Sequence, residues 1–226
     1  MSEIRDNLLR VMERMEKAAR RAGRNPGEVK LVAVSKTVDV ERIREAIGAG
    51  ASILGENYVQ EAQKKIEEIG RAVSWHFIGH LQSNKAKVAV RLFDAVHCVD
   101  GMALAEELNR RAQQVERKIP VMIEVNLSGE TSKFGAGEEN VFALAQGILK
   151  LDHLSLEGLM TMPPYFDDPE RNRPYFVQLR TLKERLAKEG IPLKDLSMGM
   201  SNDFEVAIEE GATHVRVGTA IFGARK

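Results

Sequence analysis

Cysteine is nearly absent from this sequence: among 226 residues Cys98 stands alone. One thiol cannot close an internal disulfide or build a cysteine-rich zinc site, so nothing here calls for an oxidising compartment. Net charge is absent as well, with 33 Lys and Arg balancing 33 Asp and Glu. Without a global positive field the chain is not expected to bind nucleic acid. Basic pairs such as Arg20-Arg21, Lys64-Lys65 and Arg110-Arg111 sit among acids and read as solvated helix faces. No apolar run approaches the roughly 20 residues that a membrane span needs. The opening segment, MSEIRDNLLRVMERMEK, has neither the continuous apolar stretch nor the cleavage site of a secretory signal. A cytoplasmic globular protein is expected, long enough to bury a sizeable core.

What the sequence has in quantity is alternation. A first helix is predicted from Glu3 to Ala22, with Ile4, Leu8, Val11, Met12, Met15 and Ala19 on one face at spacings of three and four. Short β-rich runs follow, each leading into a helical pattern. They begin with Val29 to Val34, Ser52 to Leu54, Trp75 to Ile78 and Ala95 to Val99. Val121 to Val125, Leu156 to Met160, Leu196 to Gly199 and His214 to Val217 complete the series. Strands alternating with helices imply parallel pairing. An open doubly wound sheet usually has fewer strands and a Gly-rich turn after the first; here that strand ends Ser35-Lys36-Thr37. The count matches an α/β fold of the (β/α)8 TIM barrel type, typically about 250 residues. Too few residues follow the last strand for an outer helix, so the N-terminal helix is expected to complete the outer ring. With no linker or low-complexity tract, residues 1–226 read as a single domain.

In such a barrel the chemistry lies where strands end. Those positions hold Lys36, Glu56 and Asn57, His80 with Gln82-Ser83-Asn84, Asn126 to Gly129, Thr161, Ser201-Asn202, and Arg216 with Gly218-Thr219. Alternation puts Val32, Val34 and Lys36 on one face. An amine at the rim of an apolar core loses solvation when charged, which lowers its pKa and makes it a usable nucleophile. The alternative, a lysine that snorkels out of the barrel mouth, stands equally open on position alone. Asn202 and Glu205 have capping-box spacing at the start of a helix. Gly218 lets backbone approach a ligand and Thr219 adds a hydroxyl. Loops after the seventh and eighth strands recurrently bind phosphate in this fold. Ser201 and Asn202 taken singly read as helix caps; beside a rim lysine, a phosphate-bearing carbonyl compound is the better account. His76 and His80 share a face without further metal-spaced partners, so they read as core or hydrogen-bonding histidines, and no metal site is expected. Met160, Met162, Met198 and Met200 read as barrel core. Cys98, inside a strand, reads as inert.

Several blocks at matching order and spacing resemble one family. They are Ala33-Val34-Ser35-Lys36-Thr37, Gly55 to Glu61, Trp75 to Lys85, Asn126 to Glu130 with Lys133 and Gly135, Gly158 to Met162, Leu196 to Ser201 and Val215 to Gly223. Together they resemble the pyridoxal phosphate homeostasis proteins of the YggS/PROSC type, which have the alanine-racemase-like barrel. Tyr58 departs from the pattern, standing where that family carries a basic residue. The resemblance implies that Lys36 holds pyridoxal 5′-phosphate as a Schiff base. It implies that Ser201, Gly218 and Thr219 hold the phosphate, that Arg216 faces the pyridine nitrogen, and that Asn57 and His80 lie near the ring.

The resemblance implies a carrier that stores or hands over the cofactor in vitamin B6 balance without catalytic turnover; recipients would be enzymes that use pyridoxal phosphate. An amino-acid racemase is the alternative. Racemisation needs a second base, which in the related enzymes comes from an additional β domain, and this chain ends at Lys226. Of its tyrosines, Tyr58, Tyr165 and Tyr175, none is clearly placed at the barrel mouth by the sequence. A Schiff-base aldolase ranks third, because its lysine usually lies on a middle strand. Without a dimer-forming domain, a monomer is expected.

Overall fold

The computed structural model describes residues 3–130 and 134–224; Lys133 and Lys226, named above, lie outside them. The β-rich runs pair side by side in chain order. Strands β1 (Lys30–Val34), β2 (Ile53–Glu56), β3 (Ser74–Phe77), β4 (Ala95–Val99), β5 (Ile119–Glu124), β6 (Leu154–Met160), β7 (Asp195–Ser197) and β8 (His214–Val217) form one closed parallel barrel. Strand β8 returns to β1 with Val32 opposite Arg216. The helices that matter here are α1 (Glu3–Arg21), α2 (Val40–Gly48), α3 (Val59–Ile69), α4 (Ala86–Leu92), α5 (Met102–Gln113), α6 (Val141–Ile148), α7 (Arg173–Lys188), α8 (Phe204–Glu209) and α9 (Thr219–Phe222). The expected (β/α)8 barrel is the fold. Strand β7 is shorter than its apolar run, because Gly199 at φ +91° turns the chain out of the sheet.

Helix α1 fills the gap in the outer ring. It packs against α2, α8 and α9, and burying Leu8, Val11 and their neighbours contributes about 1.5–3 kcal/mol for each large side chain. Its buried stripe is Ile4, Leu8, Val11, Met15, Ala18 and Ala19. Met12, expected on that face, is 42% exposed, since it sits one residue, about 100° of helix turn, beyond Val11. Arg14 on Glu205 at 2.6 Å and Arg21 on Glu209 at 2.9 Å tie the polar side to α8.

Alternation separates two interiors. Outward-facing strand residues, Ala33, Leu54, Trp75, Phe77, Cys98, Val215 and Val217 among them, join the helices in one large apolar cluster. The lumen is divided. On the β1–β3 side Val32, Val34 and Ile78 form a small apolar cluster of their own. Towards β3, β4, β7 and β8 the buried residues are polar: His76, His97, Ser197, His214 and Arg216. A barrel interior is normally filled by layers of branched apolar residues, so this polar half is a departure that needs hydrogen bonds to compensate it.

Candidate functional site

At the C-terminal end of the strands lies a cavity of about 490 Å³, within the usual range for a small-molecule site. Lys36, Asn57, Ser201, Arg216, Gly218 and Thr219 all line it. Six of the seven residues that the resemblance implies as cofactor contacts therefore meet at one place. The seventh, His80, does not line this cavity: its ring stacks on Phe134 at 3.6 Å, and Nδ1 is 3.8 Å from Asp100.

Lys36 follows β1 in a turn closed by the Val38 N–H donating to the Ser35 carbonyl at 3.0 Å. Thr37, beside it, has φ +62°, a left-handed conformation that costs a β-branched residue about 1–3 kcal/mol. A buried network holds this turn from behind. Ser35 Oγ donates to Glu56 Oε1 at 2.7 Å, and the Thr37 N–H donates to Glu61 Oε1 at 2.6 Å. Lys65 Nζ donates to the Ser35 carbonyl at 2.6 Å, to Glu56 Oε1 at 2.8 Å and to Glu61 Oε1 at 2.6 Å. All three ammonium hydrogens are thereby used. The reading of Lys64-Lys65 as a solvated face fails for Lys65, which is 5% exposed, because its acceptors come from the turn after β1, from β2 and from its own helix. Burial raises the Glu56 carboxyl above its ordinary range, with Lys65 and Ser35 opposing that shift.

Arg216, 4% exposed, donates through Nη1 to Ser197 Oγ at 2.7 Å and through Nη2 to the Thr161 carbonyl at 2.9 Å. Burial lowers its pKa to about 10, with Glu124 and Asp203 opposing, so it stays a cation at neutral pH. Two of its five N–H groups are named here; the guanidinium also borders the cavity and carries no acceptor.

The β7 and β8 loops form the opposite wall. Ser201 Oγ accepts from the amides of Gly218 at 3.2 Å and Ala220 at 3.3 Å. A Cβ added at Gly218 would meet Val34 Cβ at 3.3 Å, so only a bare backbone fits this approach easily. Asn202 and Glu205 do not form the expected capping box. Asn202 Nδ2 instead reaches the Phe166 carbonyl at 2.9 Å, and Glu205 pairs with Arg14. Asp203, just before α8, makes no side-chain cap either: Oδ1 accepts from the Met200 amide and Oδ2 from Asn172 Nδ2, both at 2.6 Å.

Sequence reasoning missed part of the wall. Met162, Tyr165, Phe166, Asn172, Met200 and Asp203 also line the cavity. Met160 and Met198 are core as expected, whereas Met162 and Met200 lie past the ends of β6 and β7 and face the opening. Tyr165 is at the mouth after all, 72% exposed on a loop that the Pro163-Pro164 pair makes irregular. The only early signal for this loop was its position after a barrel strand. Cys98 is fully buried, and burial pushes its thiol pKa well up.

Pyridoxal phosphate can be tested against this residue set. A glycine cradle beside a hydroxyl pair suits a phosphate, and Arg216 suits an unprotonated ring nitrogen. The buried Asn57 Oδ1 has no hydrogen-bond partner among the described residues, leaving an acceptor for a ligand hydroxyl. The residues fit the group.

The family profile described as "Alanine racemase, N-terminal domain" matches residues 5–226. The pyridoxal phosphate homeostasis protein of Aquifex aeolicus (strain VF5) is 48% identical over 223 residues, 98% of each chain. A crystal structure of an unknown protein from Bifidobacterium adolescentis superposes with TM-score 0.92 at 39% identity, covering 97% of this chain and 94% of that one. PipY of Synechococcus elongatus PCC7942, solved with PLP bound, superposes with TM-score 0.82 at 38% identity over 93% of this chain and 100% of its own. With this likeness extending along the whole chain, the protein belongs to the family of pyridoxal phosphate homeostasis proteins, built on the alanine racemase N-terminal domain.

Proposed function

We propose that this chain binds pyridoxal 5′-phosphate in the 490 Å³ cavity and serves intracellular homeostasis of that cofactor without catalytic turnover. The observation that carries the reading is convergence: the Lys36 amine, the Arg216 cation and the Ser201–Gly218–Thr219 wall border one cavity. PipY, solved with PLP bound, and the homeostasis proteins of Aquifex aeolicus and other bacteria support it.

When bound, the cofactor supplies an aldehyde that condenses with an amine and a ring that draws electrons. Lys36 provides the amine, and the clamp on Ser35 and Thr37 orients it. Ser201, Gly218 and Thr219 hold the phosphate. Arg216 donates a hydrogen bond to the ring nitrogen but keeps its proton, because its pKa of about 10 is far above neutrality. By withholding a proton from that nitrogen, Arg216 would leave a bound ring a weak electron sink, which disfavours carbanion chemistry and suits storage. Asn57 accepts from the ring hydroxyl. Residues 1–226 act as one domain and as a monomer, which hands the cofactor to enzymes that require it inside the cell. No helix among the described residues is long and apolar enough to cross a membrane.

The racemase reading gains one observation, Tyr165 at the cavity mouth. Its wide exposure leaves it without the fixed position that a second base requires. The test is the visible absorption spectrum before and after borohydride reduction, with peptide mapping. A yellow protein whose reduced adduct maps to Lys36 is expected. A protein that stays colourless with added pyridoxal phosphate would overturn the reading and favour the aldolase. Incorporation of solvent deuterium at the α-carbon of an added amino acid would favour the racemase.

A further inference from the structure

The polar half of the lumen is continuous. Arg216 Nη1 lies 2.7 Å from Ser197 Oγ, Ser197 Oγ 2.9 Å from His97 Nδ1, and His97 Nε2 3.0 Å from His76 Nδ1. The four residues come from β8, β7, β4 and β3. Strands β4 and β7 are not neighbours in the barrel, so the Ser197–His97 contact spans the lumen. At its far end His76 borders a second cavity, of about 220 Å³, with Lys30, Asp94, Glu157, Asp195 and His214. Lys30, Asp94, Asp195 and His214 lie at or next to the starts of their strands, so the hydrogen-bonded chain runs from the cofactor cavity towards the other end of the barrel.

We infer that Ser197 and His97 are positioning residues for Arg216, forming with His76 a hydrogen-bonded chain of fixed polarity that holds the guanidinium at the floor of the cofactor cavity. The polarity follows from donor inventory. A guanidinium only donates, so Ser197 Oγ accepts from it; His97 Nδ1 is the other group within hydrogen-bond distance of that oxygen, and the hydroxyl hydrogen, which needs an acceptor, goes there. His97 is then an acceptor at Nδ1 and a donor at Nε2, and His76 accepts at Nδ1 and carries its hydrogen on Nε2. Both imidazoles must be neutral for this, and burial keeps them so: it lowers His97 well below its ordinary value and His76 to about 4. His214, Lys30 and Arg216 add to the lowering, while Asp94 and Asp195 oppose it at His76.

A floor made of branched apolar side chains would leave Arg216 with only the Thr161 carbonyl among these partners. The guanidinium plane would then be free to rotate about that one contact. Two acceptors at Nη1 and Nη2 fix the plane, and a fixed plane aims the cavity-facing N–H at one place. Ser197 alone could rotate its hydroxyl; His97 removes that freedom by offering an acceptor on the side away from Arg216.

This inference rests on the proposed cofactor reading for its consequence but not for its geometry, and the experiment separates the two. Histidine-selective ¹⁵N NMR of the cofactor-free protein between pH 6 and 8 should show His97 and His76 as Nε2–H tautomers. A hydrogen on Nδ1 of His97 would overturn the chain. In protein loaded with pyridoxal phosphate, Ser197→Ala should shift the visible absorption maximum and speed cofactor release at least about tenfold, as expected for a bond to a charged group. Ser197→Thr, which keeps the hydroxyl, should restore both. An unchanged maximum and release rate in a folded Ser197→Ala protein would overturn the positioning role. If the wild-type protein takes up no pyridoxal phosphate, the functional reading fails, and the tautomers still decide for or against the chain.

Discussion

Replacing Lys65 by methionine tests the clamp behind the lysine turn. The substitution keeps most of the side-chain volume and removes three hydrogen bonds, two of them to carboxylates. Glu56, fully buried, is left without its cation. Breaking a buried pair from one side typically costs about 3–5 kcal/mol. For a domain of this size each kcal/mol moves the melting temperature by about 2–4 °C, so a fall of about 6–20 °C is expected. The pH dependence carries a definite sign. Glu56 has a raised pKa, and losing Lys65 removes the main influence that opposes the rise. Its folded-state pKa therefore lies further above the unfolded value in the variant. Stability from such a group is present below the unfolded pKa and lost as pH rises through the folded one. The variant should thus be penalised more at pH 8 than at pH 5. Glu56→Gln in the same chain removes the stranded charge and should recover part of the loss. Thermal unfolding at both pH values, with the double-mutant cycle, measures all of this. A Lys65→Met protein as stable as wild type at pH 8, or a penalty independent of pH, would refute the clamp.

Gly218→Ala brings a Cβ to 3.3 Å from Val34 Cβ and should weaken cofactor retention in equilibrium dialysis. Gly48→Ala, whose Cβ would meet nothing within 4 Å, should instead gain about 0.5–1 kcal/mol in denaturant titration. Glu124 is buried, and its pKa is pushed up to about 7 from an ordinary 4.5, so wild type loses stability as pH rises through 7. Glu124→Gln, unfolded in denaturant without cofactor, should escape that loss, the difference growing by up to about 3 kcal/mol between pH 5 and 8. Cys98, buried with a raised thiol pKa, should react with iodoacetamide at pH 8 only at the rate of unfolding, as mass spectrometry would show. Leu8→Ala in α1 should cost about 2–5 kcal/mol in denaturant unfolding.

The barrel was legible because it is written in local periods: alternating strands, helices of period 3.6, and a leading helix that makes up for a trailing one of only four residues, α9. The strand-end rule then gathered Lys36, Asn57, Ser201, Arg216, Gly218 and Thr219. What stayed illegible is what depends on closure. His97 and Ser197 are 100 residues apart in sequence, and each reads in its own strand as an isolated polar residue. Lys65 looks like a surface lysine, since Glu61 one turn earlier is an ordinary helix-face partner; its burial follows from Ser35 and Glu56, contributed by two other elements. Tyr165 and Phe166 reach the cavity from a loop without periodicity, and Asn172 from the single 3-10 turn, Pro169–Asn172, that follows it. His80 was gathered by the same strand-end rule, but the chain after β3 carries it towards Phe134.

Ser201 caps a different helix from the one its place in the sequence suggests. As a helix cap it was assigned to the helix that follows it, yet its hydroxyl serves α9, taking the amides of Gly218 and Ala220. Main-chain pairing between β7 and β8 continues beyond the strand ends through the Arg216 amide on the Gly199 carbonyl at 2.9 Å. The Ser201 hydroxyl prolongs that seam by side chain, drawing together the loops that form one wall of the cavity. Ser201→Ala would therefore lose both a cap, worth about 1 kcal/mol, and the wall's arrangement. Thr219→Ala removes a hydroxyl and a methyl at the cavity but no helix cap, so it is the cleaner probe of the phosphate assignment. If Ser201→Ala lowers both stability and retention while Thr219→Ala lowers retention alone, the seam and the phosphate wall are one structure. Unchanged retention in Thr219→Ala would leave Ser201 as a cap and remove the phosphate from this wall.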